Sequence, residues 1–319
     1  MNGRDPVWIW TRYWQSGQFE GCLSKAFNLS ALWRDYFAPF PAGARLLDLA
    51  TGAGDAAELA ADAAQALGRR FEIDAVDAAN IPPALAERLG ARGVRLKGGV
   101  YLRSLPFEDG SYDGVFSQFG IEYGERPAAF REAARVLRAG GCGLFVMHHR
   151  DSVVTRLCAQ RLSRHRAVLG PTQCFPAAER VFTCHLKRAP LPLLVEAEKQ
   201  FHNEVTMLRR RLGMPPADPN LVGVVDLLTD LAATPARYDP ADALRRVRFA
   251  QEEIESWRLR QEAQRKVALD QTQLDAVCGR LAQAGLAVQP PDIVRDERGE
   301  IIAWALRVRR PATSSGPDA

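Results

Sequence analysis

A short segment with two glycines is the clearest candidate for a ligand-binding loop. Residues 47–55 read LDLATGAGD and follow an apolar run that predicts a β-strand at 44–50. Glycine has no Cβ, so the backbone at Gly52 and Gly54 can turn sharply and approach a ligand closely. A helix predicted at 55–67 would present unpaired amides, which suit the carboxylate of an amino-acid-like ligand. By itself the segment is compatible with a ligand-binding loop and with a plain strand–helix turn.

Three further segments follow the loop at spacings that favour ligand binding. A second predicted strand, 71–76, ends immediately before Asp77, whose carboxylate could accept hydrogen bonds from both ribose hydroxyls of an adenosine ligand. Residues 105–113 read LPFEDGSYD and precede the fourth predicted strand. Residues 130–141 read FREAARVLRAGG and precede the fifth. Together these segments indicate a nucleoside-binding α/β domain.

In this order and spacing, the four segments resemble the class I S-adenosylmethionine (SAM)-dependent methyltransferases, and most closely the group that contains the quinone and small-molecule methyltransferases. The resemblance covers residues 44–150 and, less specifically, the terminal hairpin at 285–309. It implies SAM as the cofactor and an α/β fold with a Rossmann-like, seven-stranded sheet that ends in an antiparallel hairpin. The implied activity is methyl transfer to a small-molecule metabolite.

The resemblance also implies roles for individual residues. Ala50 stands where many members of the family have a glycine. Tyr101 stands where the family often has an acidic residue that reads the adenine amine, and it could stack or donate a hydrogen bond instead. By the resemblance, Asp48 would contact the loop or the methionine ammonium, and Ala50, Gly52 and Gly54 would line the cofactor along the loop. Asp77 would contact the ribose, and Tyr101 and Leu102 would contact the adenine. Ser117 and Gln118 would contact the methionyl end.

Catalytic candidates are fewer. Methyl transfer is a displacement at a sulfonium, so a base is needed only when the acceptor keeps its proton at neutral pH. His148 and His149 end the fifth predicted strand, at the edge where open α/β sheets bind ligands, and either could be a general base or a substrate contact. Tyr13 could cover the sulfonium as part of an aromatic lid, because aromatic faces attract cations. Glu122 and Tyr123 could contact methionine or substrate. Packing or solvated roles are the alternatives for all five.

Periodicity divides the chain into regions. Short apolar strands alternate with helical patterns over 44–150, which predicts βαβ units around a parallel sheet. Almost no strand pattern occurs in the next hundred residues, which predicts a large helical insertion, or cap, that closes over the cofactor with residues 1–40 and selects the substrate. The predicted regions are an N-terminal aromatic helical lid (1–43), a SAM-binding core (44–150), a helical cap (151–268), a C-terminal helix and antiparallel hairpin (269–310) and a disordered tail (311–319).

Composition and charge limit the partners. A net charge of +4 is too small to require a nucleic-acid partner. The Asn/Asp-Pro-Pro-aromatic signature of base-amino methyltransferases is absent after the fourth predicted strand, so RNA or DNA methylation is a disfavoured alternative. The six cysteines form no CxxC pair, and we expect no metal site. Without a long apolar run or a signal peptide, we expect a cytoplasmic enzyme with a small-molecule substrate, no membrane association and a possible homodimer.

Other functions remain open on the same fold. The loop lacks the third glycine of the dinucleotide fingerprint, which disfavours a nicotinamide cofactor. A cyclase or lyase that consumes SAM and releases 5′-methylthioadenosine would use the same cofactor site without a second substrate. A catalytically silent SAM-binding protein would use it without turnover.

Overall fold

The computed structural model of the protein describes residues 7–15, 27, 29–213 and 219–312. The rest of the predicted N-terminal lid, and the predicted tail from residue 313 onward, lie outside the described residues. The chain divides into two compact units, Met1–Arg156 with Ala263–Ala319, and Leu157–Glu262.

The first unit is built on a mixed sheet that has eight strands within the described residues. In chain order the strands are β1 (Arg45–Leu49), β2 (Glu72–Val76), β3 (Val94–Lys97), β4 (Tyr112–Gln118), β5 (Leu137–His148), β6 (Ala287–Val288), β7 (Asp292–Arg295) and β8 (Ile301–Arg309). Their order across the sheet is β3-β2-β1-β4-β5-β8-β6, and β7 also pairs with β8. Strands β1 to β5 are parallel, and β8 is antiparallel to β5. The predicted α/β sheet is confirmed.

The sheet has one strand more than predicted because the expected sixth strand is divided in two. Pro290 and Pro291 lie between β6 and β7, and proline has no N–H to donate to a neighbouring strand. Both pieces pair with β8, and the pairing register shifts by one residue between them. Strands β6 and β7 are therefore two halves of one interrupted edge strand.

Eleven α-helices lie within the described residues. They are α1 (Val7–Gln15), α2 (Ser30–Phe37), α3 (Asp55–Ala66), α4 (Pro83–Gly90), α5 (Arg126–Val136), α6 (Val153–Leu169), α7 (Cys174–Leu186), α8 (Leu191–Leu212), α9 (Pro219–Ala233), α10 (Pro240–Val267) and α11 (Gln271–Gln283).

Apolar side chains of the strands are buried on both faces of the sheet. Successive strand residues point to opposite faces, so Leu46 belongs to one apolar cluster while Leu47 and Leu49 belong to the other. The first cluster includes residues of α2, α3 and α4, and the second includes residues of α5 and α11. On α2, Trp33 and Phe37 are completely buried. Because the strands are buried on both faces of the sheet, the positions of their carboxyl ends are fixed.

The second unit is entirely helical within its described residues and has its own apolar core. This core joins residues of α6 to α10, including Phe182, Phe201 and Trp257. Helix α7 lies within the predicted helical cap. Its Pro176 lies in the first turn, where proline is tolerated because the first amides of a helix have no intrahelical acceptor. No helix in the described part of the chain is long and apolar enough to cross a membrane.

Candidate functional site

The glycine loop lies at the point where the sheet changes direction. From β1 the chain continues to β2 and β3 on one side, whereas β4 and β5 lie on the other. In open α/β sheets, a crevice forms at the carboxyl ends of the strands at such a switch point, and ligands bind there. The structure places the predicted loop at this edge, directly after β1.

The loop backbone adopts several left-handed conformations. The φ angles are +53° at Ala50, +55° at Gly52 and +85° at Gly54. Two hydrogen bonds close the turn: Thr51 N donates to Val76 O at 3.0 Å, and Gly54 N donates to Thr51 O at 2.8 Å. Alanine in this conformation costs roughly 1–2 kcal/mol. The loop is therefore tightly wound and strained at the position where the family often has glycine.

Asp77 fastens the loop to the end of β2. Its Oδ2 accepts a hydrogen bond from Gly52 N at 2.8 Å, and its Oδ1 accepts one from Ala79 N at 2.8 Å. The side chain is 8% exposed. Burial raises the pKa of Asp77, and the two amide hydrogen bonds partly offset that rise. The carboxylate thus has a structural task that the sequence did not reveal. Each oxygen retains a further acceptor position for the predicted ribose contact.

Asp48 is a second buried carboxyl group beside the loop. Its Oδ2 accepts a hydrogen bond from Thr51 Oγ1 at 2.6 Å. Its Oδ1 is buried and has no hydrogen-bond partner among the described residues. Burial raises the pKa of Asp48 to about 8; the bond from Thr51 opposes this rise and the nearby Asp77 adds to it. An unpaired acceptor oxygen of this kind fits a cationic ligand group such as an ammonium.

Replacing Asp48 with asparagine should change how stability depends on pH. The pKa of this carboxyl is above its ordinary value of 3.8, so the folded protein binds more protons than the unfolded chain between about pH 4 and about pH 8. The free energy of unfolding should fall as the pH rises through this window. Asp48→Asn should remove a fall on the order of 2–5 kcal/mol, measured by urea unfolding across the window. If the free energy of unfolding changed with pH in the same way for the wild-type protein and for Asp48→Asn, the raised pKa of Asp48 would be contradicted, even if a constant difference separated the two curves.

Aromatic residues of α1 lie against the glycine loop. A Cβ built on Gly52 would be 2.6 Å from Cζ2 of Trp14, so the indole ring contacts the glycine directly. Tyr13 and Trp14 are buried in one apolar cluster with Ala53 and Ala79. The predicted aromatic lid thus has a counterpart in α1, and the sequence analysis did not predict the close contact of Trp14 with Gly52. Contact between Tyr13 and the cofactor stays a prediction.

Two residues expected at the methionyl end are engaged in hydrogen bonds with other elements. Ser117 is completely buried; its Oγ donates to Leu49 O at 2.6 Å and accepts from Ile121 N at 2.9 Å. Gln118 Oε1 accepts a hydrogen bond from Trp33 Nε1 at 2.5 Å. These bonds connect β4 to β1, to the following turn and to α2. The predicted cofactor contacts of Ser117 and Gln118 remain predictions.

The two residues expected near adenine differ in their surroundings. Leu102 is 7% exposed and belongs to the apolar cluster that contains Leu49 and Val76 at the ends of β1 and β2. Tyr101 is half-buried, and the guanidinium of Arg103 lies 4.4 Å from the centre of its ring. Both residues lie in the segment after β3. This segment is close to the end of β2, which Asp77 follows directly. Their predicted roles at the adenine remain predictions.

A buried glutamate–histidine pair lies beyond β4 and β5. Glu122 Oε1 accepts a hydrogen bond from His148 N at 2.9 Å and lies 2.8 Å from His148 Nδ1. The two residues are 1% and 4% exposed. Glu122 Oε2 is buried without a hydrogen-bond partner in the described ranges. Because such an oxygen costs about 1–3 kcal/mol, its retention calls for a functional explanation.

The backbone beside this pair is also strained. Phe119 has φ +53°, a conformation that bulky residues rarely adopt. Its ring lies edge-on to the imidazole of His148, with ring centres 4.6 Å apart. Backbone strain of this kind costs about 1–3 kcal/mol and occurs often at functional sites. Strain and an unpaired carboxylate oxygen therefore occur together at the carboxyl ends of β4 and β5.

His149 has different surroundings from His148. Its ring stacks on Trp304 with centres 4.3 Å apart, and its Nδ1 accepts a hydrogen bond from Asp151 N at 2.9 Å. Burial lowers the pKa of this imidazole. These contacts tie the ring to β8 and to the start of the next segment. They favour His148 over His149 as the candidate base.

Comparison with known proteins agrees with the geometry. Residues 46–141 match the model of a family described as "Methyltransferase domain". The glycine loop, Asp77 and the motifs that follow them all lie within or at the end of the matched residues.

Two curated relatives are similar to part of this chain. The mitochondrial 2-methoxy-6-polyprenyl-1,4-benzoquinol methylase of Leishmania donovani is 31% identical in an alignment of 135 positions that covers 36% of this chain and 46% of the relative. The demethylmenaquinone methyltransferase of Thermotoga maritima is 35% identical in an alignment of 102 positions that covers 30% of this chain and 40% of the relative. The chain therefore spans less than half the length of each.

Solved structures show a weaker likeness. The 1,6-didemethyltoxoflavin-N1-methyltransferase of Burkholderia thailandensis, solved with bound 1,6-didemethyltoxoflavin and S-adenosylhomocysteine, has a TM-score of 0.46 at 12% identity. The match covers 96% of this chain and 88% of that one.

Proposed function

We propose that the protein transfers the methyl group of SAM to a small-molecule acceptor. The observation that carries this proposal is a pair of buried carboxyl groups, Asp48 and Asp77, beside a glycine loop at the switch point of the sheet. Within the described residues neither carboxyl forms an ion pair with lysine or arginine, and Asp48 retains an unpaired oxygen. A cationic ligand group would favour the ionised form of Asp48, which burial disfavours.

The residues around the loop fit SAM group by group. Asp48 Oδ1 can accept a hydrogen bond from an ammonium, and the free acceptor positions of Asp77 can take the ribose hydroxyls. Gly52 and Gly54 have no Cβ, so Trp14 and Leu89 pack directly against the loop and hold its shape. SAM, when bound, supplies an electrophilic methyl group on a sulfonium. The protein's contribution is to orient the acceptor toward this methyl group and to exclude water.

Aromatic side chains around the site support a flat, aromatic acceptor. Trp10 of α1 lies edge-on to Tyr123, with ring centres 5.0 Å apart, and Tyr123 lies edge-on to His148 at 5.8 Å. Phe119 also lies edge-on to this imidazole, with ring centres 4.6 Å apart. The two curated relatives are named for a benzoquinol and for demethylmenaquinone. We therefore propose an acceptor of the quinol or phenol class.

Incubation with isotopically labelled SAM and mass spectrometry tests the proposed function. SAM should bind in calorimetry, and S-adenosylhomocysteine should form only when an acceptor such as menadiol is added, with one labelled methyl group on the product. Release of 5′-methylthioadenosine from SAM alone would instead show a cyclase or lyase. Absence of SAM binding would refute the proposal.

A further inference from the structure

The Glu122–His148 pair is not explained by binding of SAM. Both side chains are almost completely buried, and no lysine or arginine in the described part of the chain forms an ion pair with Glu122. A purely apolar pair of similar size would avoid the desolvation of two polar groups. The pair also lies beside the strained backbone of Phe119. Such departures from ordinary packing concentrate where a protein carries out chemistry.

We propose that His148 is the general base that removes the proton of a phenolic acceptor hydroxyl, and that Glu122 is the residue that positions and polarises it. This inference rests on the proposed methyl transfer and adds to it the acceptor group and the residue that activates it.

The hydrogen bonds determine which nitrogen can act as the base. Glu122 Oε1 accepts from the backbone N–H of His148, so this oxygen is an acceptor, and Nδ1 at 2.8 Å is then the donor to the same carboxylate. A neutral imidazole with its proton on Nδ1 has a free electron pair on Nε2. The carboxylate also stabilises the positive charge that appears on the ring when Nε2 takes a proton. Nε2 is therefore the basic atom.

The turn that carries Glu122 is packed against the glycine loop. A Cβ built on Gly120 would lie 2.7 Å from both the Cβ and the carbonyl oxygen of Ala50. Gly120 thus brings the Phe119–Tyr123 turn into direct contact with the loop after β1. His148, which ends β5, is joined to this turn by both bonds to Glu122. The proposed base accordingly lies next to the strand ends where SAM is expected to bind.

The reaction step is balanced with SAM as the only co-substrate. His148 Nε2 takes the hydroxyl proton. The acceptor then attacks the methyl carbon of SAM through its own oxygen or through the conjugated ring carbon, with the electron pair that the proton left behind. The carbon–sulfur bond breaks with its pair remaining on sulfur, which leaves S-adenosylhomocysteine. The imidazolium of His148 then returns its proton to solvent. A ring carbon that is methylated loses its own proton as the aromatic ring is restored.

A chromophoric phenol tests the assignment without knowledge of the natural acceptor. The probe is 4-nitrophenol, added to the full chain with S-adenosylhomocysteine and buffered on the acid side of its pKa, where the free phenol is colourless and the phenolate absorbs in the visible range. The wild-type protein should bind it with at least roughly tenfold more phenolate than in free solution. His148→Gln and Glu122→Gln should abolish or strongly reduce that excess. Failure of the wild-type protein to bind the probe, or to ionise it, would overturn the proposal.

A second histidine–glutamate pair provides the matched control. His185 Nε2 lies 3.1 Å from Glu198 Oε1 in the helical unit. His185→Gln should leave the phenolate signal unchanged, and an equal loss in this variant would overturn the assignment to His148. If a variant of Glu122 or His148 fails to fold, nitrogen-15 NMR of the His148 imidazole in the wild-type protein tests the assignment instead. It should show a protonated Nδ1 and a free Nε2, and the opposite tautomer would overturn the proposal.

Kinetics separate this inference from the function on which it rests. With an acceptor that is turned over, Glu122→Gln should lower kcat about 10–100-fold and leave KM for SAM nearly unchanged, because the proposed role of Glu122 is to orient and polarise His148. An unchanged kcat in both Glu122→Gln and His148→Gln would overturn the assignment of His148 as the base, whereas the proposed methyl transfer would still hold. Phenolate formation without any methylated product from the acceptor panel would support the base and overturn the proposed methyl transfer.

Discussion

Replacing Gly52 with alanine should weaken SAM binding by at least about 100-fold and lower the free energy of unfolding by roughly 2–4 kcal/mol. Two causes add. Gly52 has φ +55°, where any Cβ introduces strain, and the new Cβ would lie 2.6 Å from Cζ2 of Trp14. Relief of this overlap requires either the loop or α1 to move, and the loop is the part that must keep its shape to bind SAM. Calorimetry with SAM and urea unfolding measure the two effects.

Gly68 offers the matched control for this substitution. It follows α3 with φ +62°, and a Cβ at this position would have no neighbour within 4 Å. Gly68→Ala should therefore show the backbone strain alone, about 1–2 kcal/mol, and leave SAM affinity intact. The double variant Trp14→Ala with Gly52→Ala should recover part of the lost stability, because the overlapping ring is removed. Equal effects of Gly52→Ala and Gly68→Ala on SAM affinity would contradict the assigned role of the loop.

Replacing Asp77 with asparagine should weaken SAM binding by about 10–100-fold and destabilise the fold by roughly 2–4 kcal/mol. An asparagine has one acceptor oxygen, so either Gly52 N or Ala79 N would lose its bond and remain buried. The loop would lose its tie to β2 at the same time as the ribose loses its expected acceptor. SAM affinity by calorimetry and unfolding in urea measure the combined loss.

The ribose contact can be separated from the loop contact by the choice of ligand. If Asp77 contacts the ribose, the wild-type protein should prefer S-adenosylhomocysteine to its 2′-deoxy analogue, and Asp77→Asn should lose most of that preference. An unchanged preference would restrict Asp77 to holding the loop. Asp74, on the same strand, is the control: its oxygens accept from Arg95 and Tyr112, so Asp74→Asn should affect stability and leave SAM affinity unchanged.

Much of the fold could be predicted because the local pattern and the global fold agree. Apolar runs of the five parallel strands, interrupted by glycine and followed by helical periodicity, leave few alternatives. The interrupted edge strand shows the limit: Pro290 and Pro291 were visible in the sequence, but the shift of register appears only once both halves are paired with β8.

Features of the candidate site that are formed by residues close together in the sequence were predictable. Contacts between residues far apart in the sequence were not. The glycine loop and the acidic residue after β2 follow from local spacing, yet the bond between Asp77 and Gly52 joins residues 25 positions apart. His148 was a candidate by its place at the end of β5. Its partner Glu122 is 26 residues away, and only their approach to 2.8 Å shows which histidine is oriented and which nitrogen is free.

By itself the sequence determined most of the strands and helices around the parallel sheet and the loop that turns at Gly52, because short-range periodicity and turn chemistry act through neighbouring residues. The class of cofactor is implied by the resemblance of the motifs to a known family. Tertiary structure alone decided that Trp14 lies on the loop, that Asp77 holds it, and that Glu122 faces His148. These features depend on burial and on hydrogen bonds between strand ends, and packing of the sheet brings such groups together irrespective of their separation along the chain.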